Sequence, residues 1–241
     1  MPWAVSVTYN SYAESQRHCE ASEDLMGPST HLLLVPTARE RRVVEQVMGS
    51  GDSGRLRIEL CGFGPIAAAA RTAHLLATLE PASVMLVGIA GAMDDRLLVG
   101  QAYRFGEVVS YGVGVGTGSD FQQASSLGWL QWPGDSSAGQ RAIGDRIGRT
   151  GMPAEHVLLT ACAASAGPAD VQLRRKQVPD AVAEDMEGFG VAVACALAGV
   201  PWTIIRGISN RAGHRDHSHW CVEPALEAAA ALALETLAEA P

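Results

Sequence analysis

The chain has 241 residues, 47% of them apolar and 18% charged, with 26 glycines, a composition that suits one compact layered domain and excludes a disordered chain. Eighteen Lys and Arg against 26 Asp and Glu leave a net charge of −8. That is the wrong sign for gripping a nucleic-acid backbone, so a small-molecule partner is expected. The five cysteines, Cys19, Cys61, Cys162, Cys195 and Cys221, are odd in number and form no C-x-x-C, and they read as buried thiols rather than a disulfide framework or zinc ribbon.

Residues 1–30 are polar and without period and read as a flexible N-terminal tail, with Met26 an alternative start; the folded domain is expected over 31–241. The N-terminus has no basic n-region, and nowhere do eighteen apolar residues run unbroken. No membrane partner and a cytoplasmic location are expected.

HLLLVPTA (31–38) reads as a strand closing at Pro36, and RERRVVEQVMGSG places Val43, Val44 and Val47 on one helical face before Gly49. RLRIELCGFG (55–64) alternates as a strand and ends at Gly62-Phe63-Gly64, either a plain turn or a nest for an anion or water. IAAAARTAHLLATL (66–79) is a small-residue helix able to lie tightly on a sheet. SVMLVGIAGAM (83–93) is a central strand, apolar on both faces, running into Gly88-Ile89-Ala90-Gly91. That segment reads as a tight turn or as backbone that a flat ring can approach closely; it matches neither G-x-G-x-x-G nor a Walker sequence.

QAYRFGEVVSYGVGV (101–115) is further strand, and the Gly-, Ser- and Trp-rich stretch 112–140 shows no period, which points to a lid or binding loop. HVLLTACAAS (156–165) is a strand, PADVQLRRKQV a polar helix, and DAVAEDMEGFGVAVACALAGV a short strand feeding an interior helix that stops at Gly199. WTIIRGIS (202–209) is the last strand and EPALEAAAALALETLAEA an amphipathic closing helix. Such alternation predicts a single three-layer α/β domain with a largely parallel sheet flanked by helices and a ligand at the carboxyl ends of its strands. The turn after 87, the helix start near 186 and the loop after 208 then converge on one crevice.

Three acids sit where strand passes into helix. Glu184 and Asp185 read as acids decorating a helix N-terminus, favoured there by the dipole. Glu187, followed only by small apolar residues, is expected to point into the crevice, where a carboxylate suits two vicinal hydroxyls. His214, His217, His219 and Cys221 have ligand-like identities, yet a polar turn-rich loop produces the same spacing, and no metal is expected.

Taken together, VGIAGAM (87–93), AEDMEGFGVAVACALAGVP (183–201) and RGISNRAGHRD (206–216) resemble the nucleoside phosphorylase and nucleosidase superfamily. The likeness runs from about His31 to the end, and D-M-E-G with I-S-N-R-A-G-x-R-D carries it. Within the superfamily the pattern is nearest to the futalosine hydrolases of the alternative menaquinone pathway. The resemblance implies a mixed sheet, a homo-oligomer (dimer or higher), no cofactor, and a bound nucleoside. It places the ribose hydroxyls on Met186 and Glu187, the purine against Ile89, Ala90 and Gly91, and the base edge on Asn210, next to Ser209.

An acid at 210 would suit adenine, as in the family's methylthioadenosine and adenosylhomocysteine nucleosidases. Asparagine, with one donor and one acceptor, can donate to the O6 of hypoxanthine and accept from N7–H. The family's phosphorylases hold phosphate with an arginine and a serine where this chain has Leu86 and Ile89, so water is the expected nucleophile. Glu40, the carboxylate of P-T-A-R-E-R-R, is either the water-activating glutamate or an exposed first-turn helix acid. A distal aromatic carboxylate would need cations such as Arg215 or Arg211, with Phe121 or Trp220 as a cover. The expected reaction is hydrolysis of futalosine to hypoxanthine and dehypoxanthinyl futalosine. Its rivals are a purine nucleoside phosphorylase, an adenine-type nucleosidase, and a nucleoside-binding protein without turnover.

Overall fold

The computed structural model describes residues 30–49, 55–149 and 156–239; the tail expected over 1–30 lies, but for Thr30, outside the described residues. In chain order the elements are β1 (His31–Val35), α1 (Ala38–Met48), β2 (Leu56–Leu60), α2 (Pro65–Leu79), β3 (Ser83–Ala92), β4 (Ala102–Phe105) and β5 (Glu107–Tyr111). There follow β6 (Gly114–Val115), β7 (Gln122–Gln123), β8 (Arg146–Gly148), β9 (Val157–Ala161), α3 (Pro168–Gln177), β10 (Ala181–Asp185), α4 (Gly188–Ala198), β11 (Trp202–Arg211) and α5 (Val222–Ala238).

Seven strands run in the order β2-β1-β3-β10-β9-β5-β8, while β11 pairs with β3 and β4 with β11. The β1–β2, β1–β3, β3–β11, β9–β10 and β5–β9 pairs are parallel. The β3–β10, β4–β11 and β5–β8 pairs are antiparallel. The sheet is therefore mixed and mostly parallel. One edge of β3 is shared, with β1 pairing its first half and β10 its last residues, and β11 follows the other edge along nearly its whole length. The C-terminal ends of β3, β10 and β11 thus meet.

The apolar strands are continuous because successive side chains serve different layers. Leu32 and Leu34 of β1, Val84 and Leu86 of β3 and Ile204 of β11 join the cluster that includes Leu75 of α2 and Val191 of α4. Leu33 and Val35, Met85 and Val87, and Ile205 face the cluster that includes Val44 of α1 and Ala229 and Ala233 of α5. A smaller cluster lies between β5, β9 and β10 around Leu159 and Val109. Among the described residues no helix is long and apolar enough to cross a membrane.

Four expectations are corrected. The run 101–115 breaks at Gly106 into β4 and β5, which pair with β11 and β9 respectively. The Gly88–Gly91 segment is strand rather than turn, since β3 continues to Ala92 in register with β11. The stretch 112–140 is locally folded, with the β6–β7 ribbon and two short 3₁₀ turns. Of the cysteines, Cys61 and Cys195 are buried but Cys162 is exposed.

Close backbone approach sets α5 on the sheet: a Cβ at Gly207 of β11 would overlap the carbonyl of Ala225. Gly207→Ala is therefore expected to cost about 1–3 kcal/mol through overpacking, seen as a melting temperature lowered by roughly 2–4 °C for each kcal/mol. An unchanged melting curve would contradict this contact.

Candidate active site

An arginine in the middle of an apolar strand needs counter-charge, because an unpaired buried guanidinium is prohibitively unstable. Arg206, in β11, has no solvent exposure. Its partner across the parallel register is Gly88, and a Cβ there would overlap Arg206 Nη1. Glycine at 88 is what makes room for the guanidinium. Arg206 Nη2 donates to Asp185 Oδ2 at 2.6 Å and to Glu187 Oε2 at 3.2 Å, and Nε donates to Asp185 Oδ2 at 3.0 Å. Burial works against its charge, but the carboxyl groups of Asp185, Glu187 and Glu40 outweigh it and raise its pKa. Nη1 is buried and has no hydrogen-bond partner among the described residues.

Glu40 is brought to the same point from α1. Thr37 caps that helix, accepting from Glu40 N–H at 3.3 Å and donating to Glu40 Oε2 at 2.6 Å, a T-x-x-E arrangement that folds the carboxylate inward. Its Oε1 lies 3.0 Å from the position a Gly88 Cβ would take, beside the unpartnered Nη1. Glu40 is buried, so the exposed-acid alternative does not hold.

Glu187 precedes α4 and is buried. Its Oε1 accepts from Gly64 N–H at 3.0 Å. The Gly62-Phe63-Gly64 segment is thus a turn, with φ of 89° at Gly62 and 86° at Gly64, and this N–H is satisfied by a side chain of the chain itself. Burial raises the Glu187 pKa to about 7; Asp185 adds to the rise, while Arg206 and the Gly64 N–H oppose it.

Glu184 and Asp185 are not surface decoration. Asp185 accepts from Thr160 Oγ1 at 2.6 Å and Gly188 N–H at 2.8 Å as well as from Arg206. Glu184 accepts from Ser165 N–H, Ser165 Oγ and Arg174 Nη1 at 2.8, 2.6 and 2.6 Å. Both belong to β10, Asp185 three and Glu184 four residues before Gly188 opens α4; Asp185 reaches that helix's first N–H, while Glu184 is held by Ser165 and Arg174 instead.

At the end of β11 the register with β3 slips between Ile208 and Asn210, so Ser209 is an extra residue and Asn210 lies opposite Gly91. Such a bulge re-aims the side chains that follow it. Ser209 Oγ donates to Asn210 Oδ1 at 2.8 Å, and Asn210 Nδ2 donates to the Arg211 carbonyl at 2.7 Å. A carbonyl only accepts, which fixes the amide orientation and leaves one N–H and one Oδ1 lone pair for a ligand.

These groups line one cavity of about 640 Å³. Glu40, Ile89, Ala90, Gly91, Met186, Glu187, Ser209, Asn210 and Arg215 all face it. Phe121 does not: it is buried with its ring 5.1 Å from that of Tyr111, because its segment folds back on β5. Arg211 also turns away, donating to the Asp94 carbonyl and, at 2.6 Å, to Asp95. The cavity deepens from an exposed rim of Arg39, Arg215, His217 and Glu223 to buried Glu40, Glu187 and Asn210.

The histidines of the 211–221 loop have other partners: the His217 ring stacks on Trp220 at 4.3 Å, and His219 Nδ1 meets Asp216 at 3.0 Å. Among the described residues no three His, Cys, Asp or Glu converge as ligands. Arg206 is the site residue that the sequence reading missed. A lone cation in WTIIRGIS, set against the acids of E-D-M-E, was the available signal.

Arg206→Met would leave Asp185 and Glu187 buried without their cation, at an expected cost of about 3–5 kcal/mol at pH 8. Glu187, whose pKa burial raises to about 7 even with the cation opposing the rise, regains stability as pH falls and it takes up a proton, so the deficit should shrink at pH 5. Urea unfolding of both proteins at the two pH values measures this; an equal deficit would remove the ion pair as the cause.

Comparison with known proteins agrees with this architecture. The family described as the phosphorylase superfamily matches residues 20–239. A futalosine hydrolase of Streptomyces coelicolor is 34% identical over 69% of this chain and 72% of its own. A 5′-methylthioadenosine/S-adenosylhomocysteine nucleosidase of a Marinomonas species is 30% identical over 63% of this chain and 66% of its own. Among solved structures, the futalosine hydrolase of Helicobacter pylori superposes with a TM-score of 0.69 at 14% identity, covering 88% of this chain and 99% of that one, a likeness of fold. With its family match spanning nearly the whole chain, this protein belongs to the phosphorylase superfamily.

Proposed function

We propose that this enzyme hydrolyses the N-glycosidic bond of futalosine, releasing hypoxanthine and dehypoxanthinyl futalosine as a step in menaquinone biosynthesis. Its class, a hydrolase of N-glycosyl bonds, is that of relatives named both for futalosine and for methylthioadenosine. The observation that carries the finer reading is the amide of Asn210, held by Ser209 and the Arg211 carbonyl in the cavity that also holds Glu187 and Glu40.

Cleaving the bond builds positive charge on the sugar and negative charge on the departing base. Glu187 accepts hydrogen bonds from the two ribose hydroxyls and stabilises the sugar cation. A water held by Glu40 at the cavity wall donates to the carboxylate and attacks C1′. The C1′–N9 bond breaks as the C1′–O bond forms; one water proton passes to Glu40 and the base takes a proton at N7 from solvent. Asn210 then donates to O6 and accepts from N7–H. A neutral amide suffices because hypoxanthine spreads its charge onto O6.

Phosphate fits this cavity poorly. Leu86 is fully buried and Ile89 is an apolar part of the wall, while Arg206 is engaged by Asp185 and Glu187. A phosphate beside Glu40 and Glu187 would meet like charge, with the unpaired Arg215 away at the rim. The enzyme is also read as cytoplasmic, and as a homo-oligomer, the latter supported by Phe63, just before α2, and Ile66 within it, 65% and 81% exposed.

The direct test follows base release from futalosine, inosine and methylthioadenosine, each with and without phosphate. Hypoxanthine released from futalosine without phosphate is expected; a strict phosphate requirement, or preference for methylthioadenosine, would overturn the reading. Glu187→Gln should lower kcat on the order of a hundredfold or more. Because burial raises the Glu187 pKa to about 7, the ionised form and the rate are lost as pH falls through that value, an acid limb that Glu187→Gln should abolish. Asn210→Asp would set a carboxylate against the Arg211 carbonyl unless protonated, and its preference should move from 6-oxopurines toward 6-aminopurines. An unchanged substrate ranking would refute the role of the amide.

A further inference from the structure

The rim of the cavity holds a charge that the bond-breaking chemistry does not use. Arg215 faces the cavity and, among the described residues, makes no hydrogen bond or ion pair; its guanidinium carbon lies 5.2 Å from the centre of the Trp220 ring. Contact with a ring face consumes none of the five guanidinium donors. Trp220 is itself held, its Nε1 donating to the His214 carbonyl at 3.0 Å and its ring stacked with His217 at 4.3 Å. The other rim cation, Arg39, is opposed by Glu223 at 4.0 Å. One uncompensated positive charge therefore stands at the mouth, on a flat aromatic support, while the deep end is lined with carboxyl groups.

Resting on the functional reading above, we propose that Arg215 and Trp220 form the subsite for the far end of the substrate, a carboxylate carried on an aromatic ring. With the sugar on Glu187 and the base on Asn210, this rim is a wall open to the 5′ substituent. Arg215 supplies a two-pronged donor for the carboxylate, and Trp220 with His217 supplies apolar surface for the ring. A small uncharged 5′ group gains nothing from such a cation, so the subsite selects among nucleosides by their tail while Asn210 selects by base.

The test compares futalosine with its methyl ester, in which the carboxylate is masked, using wild-type protein and the variants Arg215→Met and Trp220→Ala. Wild type should favour the free acid in kcat/KM by roughly tenfold to a hundredfold, the size of a charge-assisted pair, through KM more than kcat. In Arg215→Met the ratio of acid to ester should fall to near one, because variant and ester remove the same interaction. Trp220→Ala should reduce the ratio in part. If wild type hydrolyses acid and ester equally well, or if the preference survives in Arg215→Met, the subsite is overturned while the futalosine reading stands. If neither releases hypoxanthine while inosine or methylthioadenosine is cleaved, that reading itself fails and takes the subsite with it.

Discussion

The structure turns on one buried guanidinium. Arg206 lies in the central strand pair with no access to water, and the carboxyl groups of Asp185, Glu187 and Glu40 surround it. Three acids around one cation leave an excess of negative charge, and at Glu187, whose pKa burial raises to about 7, Asp185 and Glu40 add to the rise. Such a surplus would be a liability in a core kept only for stability, where apolar residues of similar size serve as well or better. At the floor of a cavity it is matched to a ligand that becomes positive. A sugar losing its base is such a ligand, and a phosphate is not.

The fold makes this cluster possible by subtraction. Gly88 removes the side chain that would occupy the guanidinium's place, and Gly207, the neighbour of Arg206, lets α5 close over β11. The small residues of β3 near its end leave backbone exposed to the cavity at Ala90 and Gly91. The extra residue at Ser209 then turns Asn210 toward that backbone. Placement of α1 by its Thr37 cap brings Glu40 in from a different layer. Glu40 comes from α1, Asp185 and Glu187 from the end of β10 and the start of α4, and Arg206 and Asn210 from β11, and the sheet order sets them side by side.

The alternation of strand and helix was legible because periods of two and 3.6 differ plainly, and the apolar runs of β1, β3 and β11 announced burial on both faces. What sequence could not display was partnership. Gly88-Ile89-Ala90-Gly91 looks like a turn until β11 is seen beside it. Gly106 looks like an ordinary strand residue until β4 and β5 are found on different neighbours. Glu184 and Asp185 resemble helix-end acids because Arg174 and Arg206, their counter-charges, lie 10 and 21 residues away. Phe121 was misjudged for the same reason: its partner Tyr111 lies across a folded loop. The motif residues Glu187 and Asn210 stood out because strand ends and apolar helix starts leave polar side chains few destinations other than a cavity.

The neutrality of position 210 gains its meaning from this charge map. Had an acid stood there, it would have faced the Arg211 carbonyl at the distance where the amide now donates, and it could remain only by keeping a proton. Asparagine has no such requirement. It leaves the deep negative charge on the sugar side alone, with an uncharged donor and acceptor at the base side and a free cation at the mouth. The field across the cavity then points one way: positive charge that grows on the sugar moves toward carboxyl groups, and negative charge that grows on the base moves away from them. In the proposed reaction that separation does as much as any single hydrogen bond, and it would be weakened by a second ionised acid at the base.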